Sequence, residues 1–418
     1  MDKIFTSRYL FFLVFVMVFM PVVELSAQVE GCTDPNALNY NSAATWNDGS
    51  CIYEETFYTP LPYLDLPLSL EETSGLIYWS DGIWTINDSG GDAVIYKVDT
   101  SSGEVSQAIT ISNGNNVDWE EICQDEDHIY VGDFGNNSGS RKDLKIYKLD
   151  KINIPDTGNA DITAEIIAFS YADQDDFTPH YNENEYDCEA MICIGGEIYL
   201  FTKNWISNTT RLYSLSATPG NYSIMPIDSL DVGGLVTGAD YSCEHDQVVL
   251  IGYSYYTPFL YLLFDYHEDE LFSGNKRKIQ MPEIFGAQTE GICFKEGHEG
   301  FISCENSLFD QQVFSFSTAE WTTMLNIGEL TKRMKVNIYP NPYEDGDLII
   351  SIDHPVGDSY RVSIFDSCGK MVYHQVHNTT AGDSSHSLLI RIPGVSPGIY
   401  FIDIVSGEWF ARESLIVN

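Results

Sequence analysis

The chain has 418 residues, of which 62 are aspartate or glutamate and 21 are lysine or arginine, giving a formal net charge of -41. A surface this acidic repels phosphate backbones and anionic lipid headgroups, so the composition excludes nucleic acid as a partner. Solubility accounts for most of this charge, whereas particular carboxylate clusters would suit divalent cations, which take oxygen ligands.

The N-terminal segment, residues 1–27, has the pattern of a secretory signal peptide. Lys3 and Arg8 precede an apolar run over residues 10–23, and Leu-Ser-Ala at residues 25–27 offers small residues for cleavage. The run is shorter than the roughly 20 residues of a membrane-spanning helix. We therefore expect cleavage after residue 27 and no stable membrane span in the mature chain.

Residues 28–56 are predicted to form a small module closed by a disulfide between Cys32 and Cys51. The nine cysteines are an odd number, but these two bracket a loop-rich stretch of Asp, Asn and Gly residues, and export favours disulfide formation. The Asp and Asn side chains of the module either hold calcium or make Asx turns, and the sequence leaves both readings open.

Residues 57–330 contain five copies of one three-part strand pattern. Each copy has a short strand that begins with a small or acidic residue, then an apolar strand, then a strand whose second residue is aromatic; 22 to 27 residues separate the first residue from that aromatic. Short strands at such regular spacing are typical of β-propeller blades, which stack around an axis to bury their faces. The first residues of the copies are Ser74, Glu120, Glu189, Gly238 and Glu290.

The sequence favours an all-β fold with five blades, and six blades are the alternative. The 274 residues of this region give about 55 per blade, more than the roughly 40–45 of one common propeller repeat, which argues for six. The five matched units argue for five, with the excess length in the 151–186 connection, where one strand-like run is found. A strand at residues 63–66 is expected to close the ring by pairing with the last blade.

Three glutamates occupy the same place in their repeats and are predicted to gather at one mouth of the propeller axis. Because neighbouring strands run antiparallel, the start of each inner strand and the end of the second strand meet there. Mutual repulsion would raise the pKa of at least one carboxylate, and a bound calcium ion would relieve it. The alternative is that each carboxylate is hydrogen-bonded to backbone amides of the next blade. The candidate metal ligands are Glu120, Glu189, Glu290, Asp88 and Asp133.

The loops that follow the second strands supply the candidate ligand-binding residues. They combine Asp, Asn, one Lys and aromatic residues, whereas turns at the opposite end, such as Gly195-Gly196, are plain. Polar and aromatic residues concentrated on one face of a propeller are typical of a binding site. Trp119 would also suit stacking on a sugar, while packing is favoured for Trp84. The candidates are Lys203, Asn204, Trp205, Asn136, Asn137, Tyr253, Glu305 and Asn306.

The strand start Thr-Glu-Gly-Ile at residues 289–292 resembles two propeller families. In metal-dependent lactonases of the gluconolactonase and regucalcin type, a Glu that opens a strand is a metal ligand, and the resemblance implies that place for Glu290. The chain departs from this pattern because the Pro after Glu-Gly is missing. The second resemblance is to phytase-like and SdiA-regulated propellers. The sequence has no Gly-x-Ser-x-Gly, His-Glu-x-x-His or phosphate-binding Gly-Lys-Ser/Thr motif.

Residues 331–418 are predicted to form a small antiparallel, Ig-like β-sandwich. The segment has Tyr-Pro-Asn-Pro at residues 339–342, a Gly-Ile-Tyr strand at 398–400 and a terminal β-strand. Over residues 334–418 it resembles the C-terminal sorting domain of the type IX secretion system. This resemblance implies export through the periplasm, engagement with the type IX machinery, and a product that is secreted or held at the cell surface.

The sequence supports two kinds of function for the propeller. As a binding protein, it would hold an extracellular glycan, peptide or small molecule at the mouth, with calcium as a structural or bridging ion. As a metal-dependent hydrolase (a lactonase, an esterase or a phytase-like enzyme), it would use a metal-bound water and an axial glutamate. A surface scaffold without a small-molecule site is the third alternative.

Overall fold

The computed structural model describes residues 28–322, 332–344, 346–353, 359–366, 371–378, 385–392, 395–406 and 409–418. The chain divides into two compact units, Met1–Thr323 and Met324–Asn418. The predicted signal peptide lies outside the described residues. Each unit is described by itself below.

The first unit contains a propeller of five blades, as the five repeats predict. In each blade, antiparallel strands follow one another from the axis outward, and the inner strands of successive blades contact one another in a closed ring. The inner strands are Thr73–Trp79, Trp119–Gln124, Cys188–Ile194, Leu235–Ser242 and Thr289–Glu296. The second strands are Gly82–Asn87, His128–Asp133, Glu197–Thr202, Gln247–Ser254 and Glu299–Cys304.

The outer half of each blade consists of a third and a fourth strand. The third strands are Val94–Val98, Lys145–Asp150, Thr209–Ser216, Thr257–Phe264 and Gln312–Ser317. The fourth strands of blades 1 to 4 are Val105–Ile111, Glu165–Tyr171, Pro226–Asp231 and Asn275–Gln280. Blade 5 takes its fourth strand from the N-terminal side of the propeller, where Leu61–Asp65 pairs antiparallel with Gln312–Ser317. The predicted closure of the ring is confirmed, and residues 56–317 of the described chain form five blades rather than six.

Three blades carry a further short strand that pairs in parallel with the fourth strand. The 151–186 connection therefore holds two strands rather than the single one expected, because a three-residue strand at Ala160–Ile162 is too short to stand out in the sequence. The added strands are Ala160–Ile162 on blade 1, Gly220–Ile224 on blade 2 and Thr56–Phe57 on blade 4. Short helical segments cover Leu68–Leu70, Lys151–Asn153, Pro282–Ile284 and Ala319–Thr322.

The core of the propeller consists of five apolar clusters, one between each pair of neighbouring blades. Trp84 and Trp119 both lie in the cluster between blades 1 and 2, at 1% and 0% exposure. Trp119 is therefore not available to stack on a sugar, because its ring packs against Tyr147 and its indole N–H donates to Asn115. Burying such apolar faces is what requires the blades to close into a ring.

The N-terminal module is closed by the predicted disulfide between Cys32 and Cys51. It packs against blade 4, where the Asn47 side-chain amide donates to Asn275 Oδ1 at 3.0 Å and to the Asp265 carbonyl oxygen at 2.9 Å. The Trp46 ring stacks on His267 with centroids 3.8 Å apart. The module is thus part of the same unit as the propeller.

Four acidic or amide side chains of this module make Asx turns, one of the two roles that the sequence left open for them. In each turn the side-chain oxygen accepts a hydrogen bond from the backbone N–H two residues later. Asp34 also accepts a hydrogen bond from the Tyr53 hydroxyl at 2.7 Å. The Asx-turn residues are Asp34, Asn41, Asn47 and Asp48.

The second unit is a β-sandwich of two sheets. One sheet has the strands Lys332–Arg333, Ser359–Asp366, Met371–Asn378, Gly398–Ser406 and Trp409–Val417, and the other has Lys335–Tyr339, Leu348–Asp353 and Ser385–Ile390. Buried side chains from both sheets form one apolar core, which includes Ile350 and Ile402. This is the small sandwich predicted from the alternating apolar pattern.

Candidate functional site

A β-bulge near the start of each inner strand brings the three repeated glutamates to equivalent positions. Glu120, Glu189 and Glu290 are each the unpaired residue of their bulge. The unpaired residues in blades 1 and 4 are Gly75 and Thr237. The predicted equivalents of the glutamates, Ser74 and Gly238, are therefore each one residue away from the true equivalent position. A bulge leaves one residue out of the ladder and redirects its side chain, which is common near binding sites.

The first carboxylate group at the mouth consists of Asp88, Asp118 and Glu120. One carboxylate oxygen from each lies within 4.8 Å of the others. Glu120 is only 5% exposed, and within the described chain its side-chain carboxylate has no hydrogen-bond donor or cation against it, although its backbone carbonyl accepts from the Ser74 hydroxyl. Gly135 makes room for the group, since a Cβ there would lie 2.0 Å from Glu120 Oε1. The three side chains thus converge without a partner of opposite charge for Glu120.

A second part of the mouth contains the buried Lys203. Its ammonium lies 3.1 Å from Glu189 Oε1, 4.9 Å from the centroid of the Trp205 ring and 5.7 Å from that of Tyr253. Beside them, Asp187 accepts hydrogen bonds from the Trp205 indole N–H at 2.8 Å and from the Asn136 backbone N–H at 2.6 Å. This side of the mouth is therefore a buried ion pair lined by two aromatic rings.

The third part of the mouth is the pair Glu290 and Glu305 on blade 5. Both are buried, and the Gln288 side-chain amide donates to Glu305 Oε2 at 2.6 Å. Lys203 is close enough to lower the pKa of both carboxyls, but burial outweighs it. The mouth therefore holds seven carboxyl groups and one ammonium group: Asp88, Asp118, Glu120, Asp187, Glu189, Glu290, Glu305 and Lys203.

Every carboxyl group of this set has a raised pKa, and burial is the first cause in each case. Burial and the charge of Asp88 raise the pKa of Asp118 to about 7, and burial raises that of Glu290 to about 7 and that of Glu305 to about 9. The pKa of Glu120 is raised well above its usual range by burial and then by Glu189. A positive charge in addition to Lys203 would lower the pKa of every one of these carboxyl groups. By linkage, the carboxylates would in turn favour the binding of a cation.

Another glutamate, Glu121, lies on the propeller axis. Its carboxylate, rather than those of the three repeated glutamates, is hydrogen-bonded to backbone amides. Glu121 is fully buried, and its two oxygens accept hydrogen bonds from the backbone N–H of Ile122 at 3.0 Å and of Ala239 at 2.9 Å. Ala239 belongs to blade 4, so the side chain spans the axis. Gly75 and Gly238 leave room for it, because a Cβ at Gly75 would lie 2.6 Å from Glu121 Oε1.

Several predicted site residues are engaged elsewhere. Asp133 is fully buried and pairs with Arg141 at 2.8 Å and Lys145 at 3.3 Å, so its charge is already compensated. Three predicted ligand-binding amides hold loops together instead: Asn136 accepts from the Arg141 backbone, Asn204 bonds Thr202 and Thr209, and Asn306 donates to Gln311. Asn137 contributes its backbone oxygen to the Asn182 and Asn184 contacts.

Asp118, Asp187 and Gln288 were not among the predicted site residues, although the sequence contains a signal for them. Each stands two residues before one of the repeated glutamates, giving Asp-Trp-Glu, Asp-Cys-Glu and Gln-Thr-Glu at the three strand starts. Each of these polar residues directly precedes its strand, and each glutamate is the unpaired residue of the bulge that follows. This repeated pairing places a second polar side chain beside each glutamate.

Next to the mouth, a cleft of about 270 Å³ opens between the loops of blades 2 and 3. It is lined by polar and aromatic side chains, including His180, Asn184 and Tyr186. The Asn184 side chain donates to the Asn137 carbonyl oxygen at 3.0 Å and so joins the cleft to the loop after the second strand of blade 2.

Residues 337–418 match the family described as the secretion system C-terminal sorting domain. The C-terminal unit is a type IX secretion sorting domain. It marks the chain for export and for a place at the cell surface or in the medium, and it engages the secretion machinery. No helix among the described residues is both long and apolar enough to cross a membrane. No curated protein matches the chain.

Solved structures similar to this chain share little sequence with it. One is an exo-β-1,3-galactanase from Phanerochaete chrysosporium with galactose, at 9% identity over 90% of this chain and 98% of that one, with a TM-score of 0.38. Another is a fungal alcohol oxidase of the AA5 family in complex with copper, at 12% identity over 82% and 85%, with a TM-score of 0.30. A protein of unknown function from Desulfotomaculum acetoxidans covers 59% and 69% at 12% identity, with a TM-score of 0.31.

Proposed function

We propose that the propeller is a calcium-dependent binding protein that is carried out of the cell by its sorting domain. The calcium ion would bind at the mouth between Asp88, Asp118 and Glu120. The observation that carries this proposal is the convergence of these three carboxylates within 4.8 Å, with Glu120 buried and unpartnered. A buried carboxylate without a partner costs several kcal/mol, and a bound cation would offset that cost.

The chemistry of the donor set favours calcium over transition metals. The three side chains offer oxygen atoms only, and hard cations such as calcium take oxygen ligands, whereas zinc and copper sites usually include His or Cys. The buried cysteines belong to the blade cores: Cys123, Cys188, Cys193, Cys293 and Cys304. Calcium would also accept waters or oxygen atoms of a ligand as further partners.

The ligand would lie over the calcium ion and the aromatic side of the mouth. Trp205 and Tyr253 are only partly buried and flank Lys203, so they offer ring faces beside a positive charge. The cleft between blades 2 and 3 extends this surface on the same face of the propeller. Convergent polar groups beside an apolar lining are what small-ligand sites provide.

Calorimetric titration of calcium into the exported chain, from residue 28 onward, tests this function. We expect binding by the native protein and at least about tenfold weaker binding in Asp118→Asn and Glu120→Gln. Glu165→Gln is the matched control, because Glu165 is an exposed carboxylate on the fourth strand of blade 2. Absence of calcium binding by the folded native protein, or equal binding by all four proteins, would overturn the proposal.

One observation favours hydrolysis as a second candidate. The pKa of Glu290 is raised to about 7 by burial in the cation-free chain, and a bound cation would lower it, leaving Glu290 ionised as a general base requires. A bound cation would supply an activated water, and Glu290 would take its proton. Turnover of a lactone, ester or phosphoester that is lost in Glu290→Gln, with calcium binding retained, would establish this candidate in place of simple binding.

A further inference from the structure

Three hairpins of the propeller have two-residue turns in the left-handed backbone conformation. The turns are Ser80-Asp81, Gly195-Gly196 and Tyr255-Tyr256, and their flanking residues pair directly. Both turn residues have positive φ in each case, for example 48° at Tyr255 and 66° at Tyr256. Such turns normally use Gly, Asn or Asp, as the first two do in part.

Folding does not explain the two tyrosines. The left-handed conformation is unfavourable for a residue with a bulky side chain, and two successive residues of this turn adopt it. Burial does not compensate, because Tyr255 is 93% exposed and Tyr256 is 71% exposed. Strain of this kind persists at sites where the side chains serve binding.

The tyrosines belong to a larger exposed apolar surface at the mouth of blades 4 and 5. The Tyr256 and Phe285 rings are edge-to-face with centroids 6.4 Å apart, and the Gly286 backbone N–H donates to the Tyr256 carbonyl oxygen at 2.7 Å. Leu308 packs over Gly286, where a Cβ would lie 2.5 Å from Leu308 Cδ1. We call Tyr255, Tyr256, Phe285 and Leu308 the rim patch; Phe285 is 54% exposed and Leu308 is 77% exposed.

The loops nearest the rim patch are acidic, and the nearby Lys203 is already paired with Glu189. Segments 253–258, 281–290, 304–312 and 66–72 are joined in turn by hydrogen bonds, and they contain no lysine or arginine. A cation held between aromatic faces and carboxylates gains both cation–π attraction and charge pairing. These segments carry four exposed acidic side chains: Glu71, Glu72, Glu283 and Asp310.

We propose that the rim patch docks a polypeptide segment in which Lys or Arg residues alternate with apolar residues. The apolar side chains would bury the exposed faces of Phe285 and Leu308, and the basic side chains would lie over Tyr255 and Tyr256 near the acidic loops. A neutral glycan would gain ring stacking but nothing from the charge, and an acidic glycan would be repelled. The patch lies outside the three calcium ligands, so this inference does not rest on the proposed function.

The probes are three synthetic peptides: repeated Lys-Leu-Lys-Phe units, the same peptide with Glu for Lys, and the same peptide with Ser for Leu and Phe. Fluorescence anisotropy is measured with the exported chain in a chelator, which removes any role of calcium. We expect the first peptide to bind at least about tenfold more tightly than the other two, and salt to weaken its binding. Equal binding of the Glu peptide, or binding of neutral oligosaccharides without binding of the first peptide, would overturn the proposal.

The double substitution Tyr255→Asn with Tyr256→Gly separates docking from folding. Asn-Gly is a preferred pair for this turn, so we expect a higher midpoint of urea unfolding together with at least about tenfold weaker binding of the Lys-Leu-Lys-Phe peptide. Leu308→Ser leaves the turn intact and should weaken the same binding without raising stability. If the double variant binds the peptide like the native protein, the rim patch is not the docking surface.

Discussion

Replacement of Glu290 by glutamine should stabilise the calcium-free protein, and it should do so only at higher pH. Glu290 is 5% exposed, and burial raises its pKa from 4.5 to about 7. The folded chain therefore holds a proton there that the unfolded chain gives up above pH 4.5. Between pH 4.5 and about 7 the folded state binds more protons at Glu290 than the unfolded state does. The free energy of unfolding is therefore highest below pH 4.5 and falls as the pH rises through about 7.

The size of this effect follows from the pKa rise. At 1.36 kcal/mol per pKa unit, ionising Glu290 in the folded protein costs about 3 kcal/mol once the pH exceeds 7. Glutamine has nearly the same shape and no charge, so it removes this cost. We expect Glu290→Gln to raise the free energy of unfolding by about 3 kcal/mol near pH 8 and by about 1 kcal/mol or less near pH 5.

Urea unfolding of the native protein and the variant at both pH values, with a chelator present, measures this difference. Glu165→Gln, at an exposed site, should change stability by less than about 0.5 kcal/mol at either pH. The reasoning is refuted if Glu290→Gln lowers stability equally at both pH values. That result would mean that the ionised form of Glu290 stabilises the folded protein through its contacts, instead of being disfavoured by burial.

Three further predictions concern other parts of the first unit. Lys203→Met should lower the free energy of unfolding, measured in urea, by about 3–5 kcal/mol because it leaves Glu189 unpaired. The double variant Lys203→Met with Glu189→Gln should recover most of that loss. Glu121→Ala should cost about 1–3 kcal/mol for each backbone N–H left without a partner, including that of Ala239, whereas Glu121→Gln should cost less. Cys32→Ser opens a loop of 19 residues, and limited proteolysis should then cut the module first, because the disulfide contributes about 3 kcal/mol.

The architecture could be predicted from the sequence because it depends on local pattern. Each blade repeats the same alternation of apolar residues over short strands, and the aromatic of the third strand falls at a nearly constant distance from the strand start. Closure by residues near Leu64 followed from the same pattern. The short strand at Ala160–Ile162 was missed because three residues carry too little periodicity to detect.

The site could be predicted only in part because its geometry depends on how loops meet. The repeated glutamates were visible as Glu120, Glu189 and Glu290, but the bulges that take them out of the strand ladder are properties of the paired strands. Asp133 looked equivalent to other loop acids, yet Arg141 lies eight residues away in sequence and pairs with it through the loop. Glu121 stands beside Glu120 in sequence, and its reach to blade 4 exists only after the ring closes.

The most direct test of the account is the position of a bound cation. Crystals of the exported chain grown with calcium, or with manganese as an anomalous scatterer, would locate the ion by its anomalous diffraction signal. We predict an ion coordinated by carboxylate oxygens of Asp88, Asp118 and Glu120 at about 2.3–2.6 Å for calcium. A well-ordered mouth without an ion at high calcium concentration, or an ion bound only elsewhere in the molecule, would contradict the account.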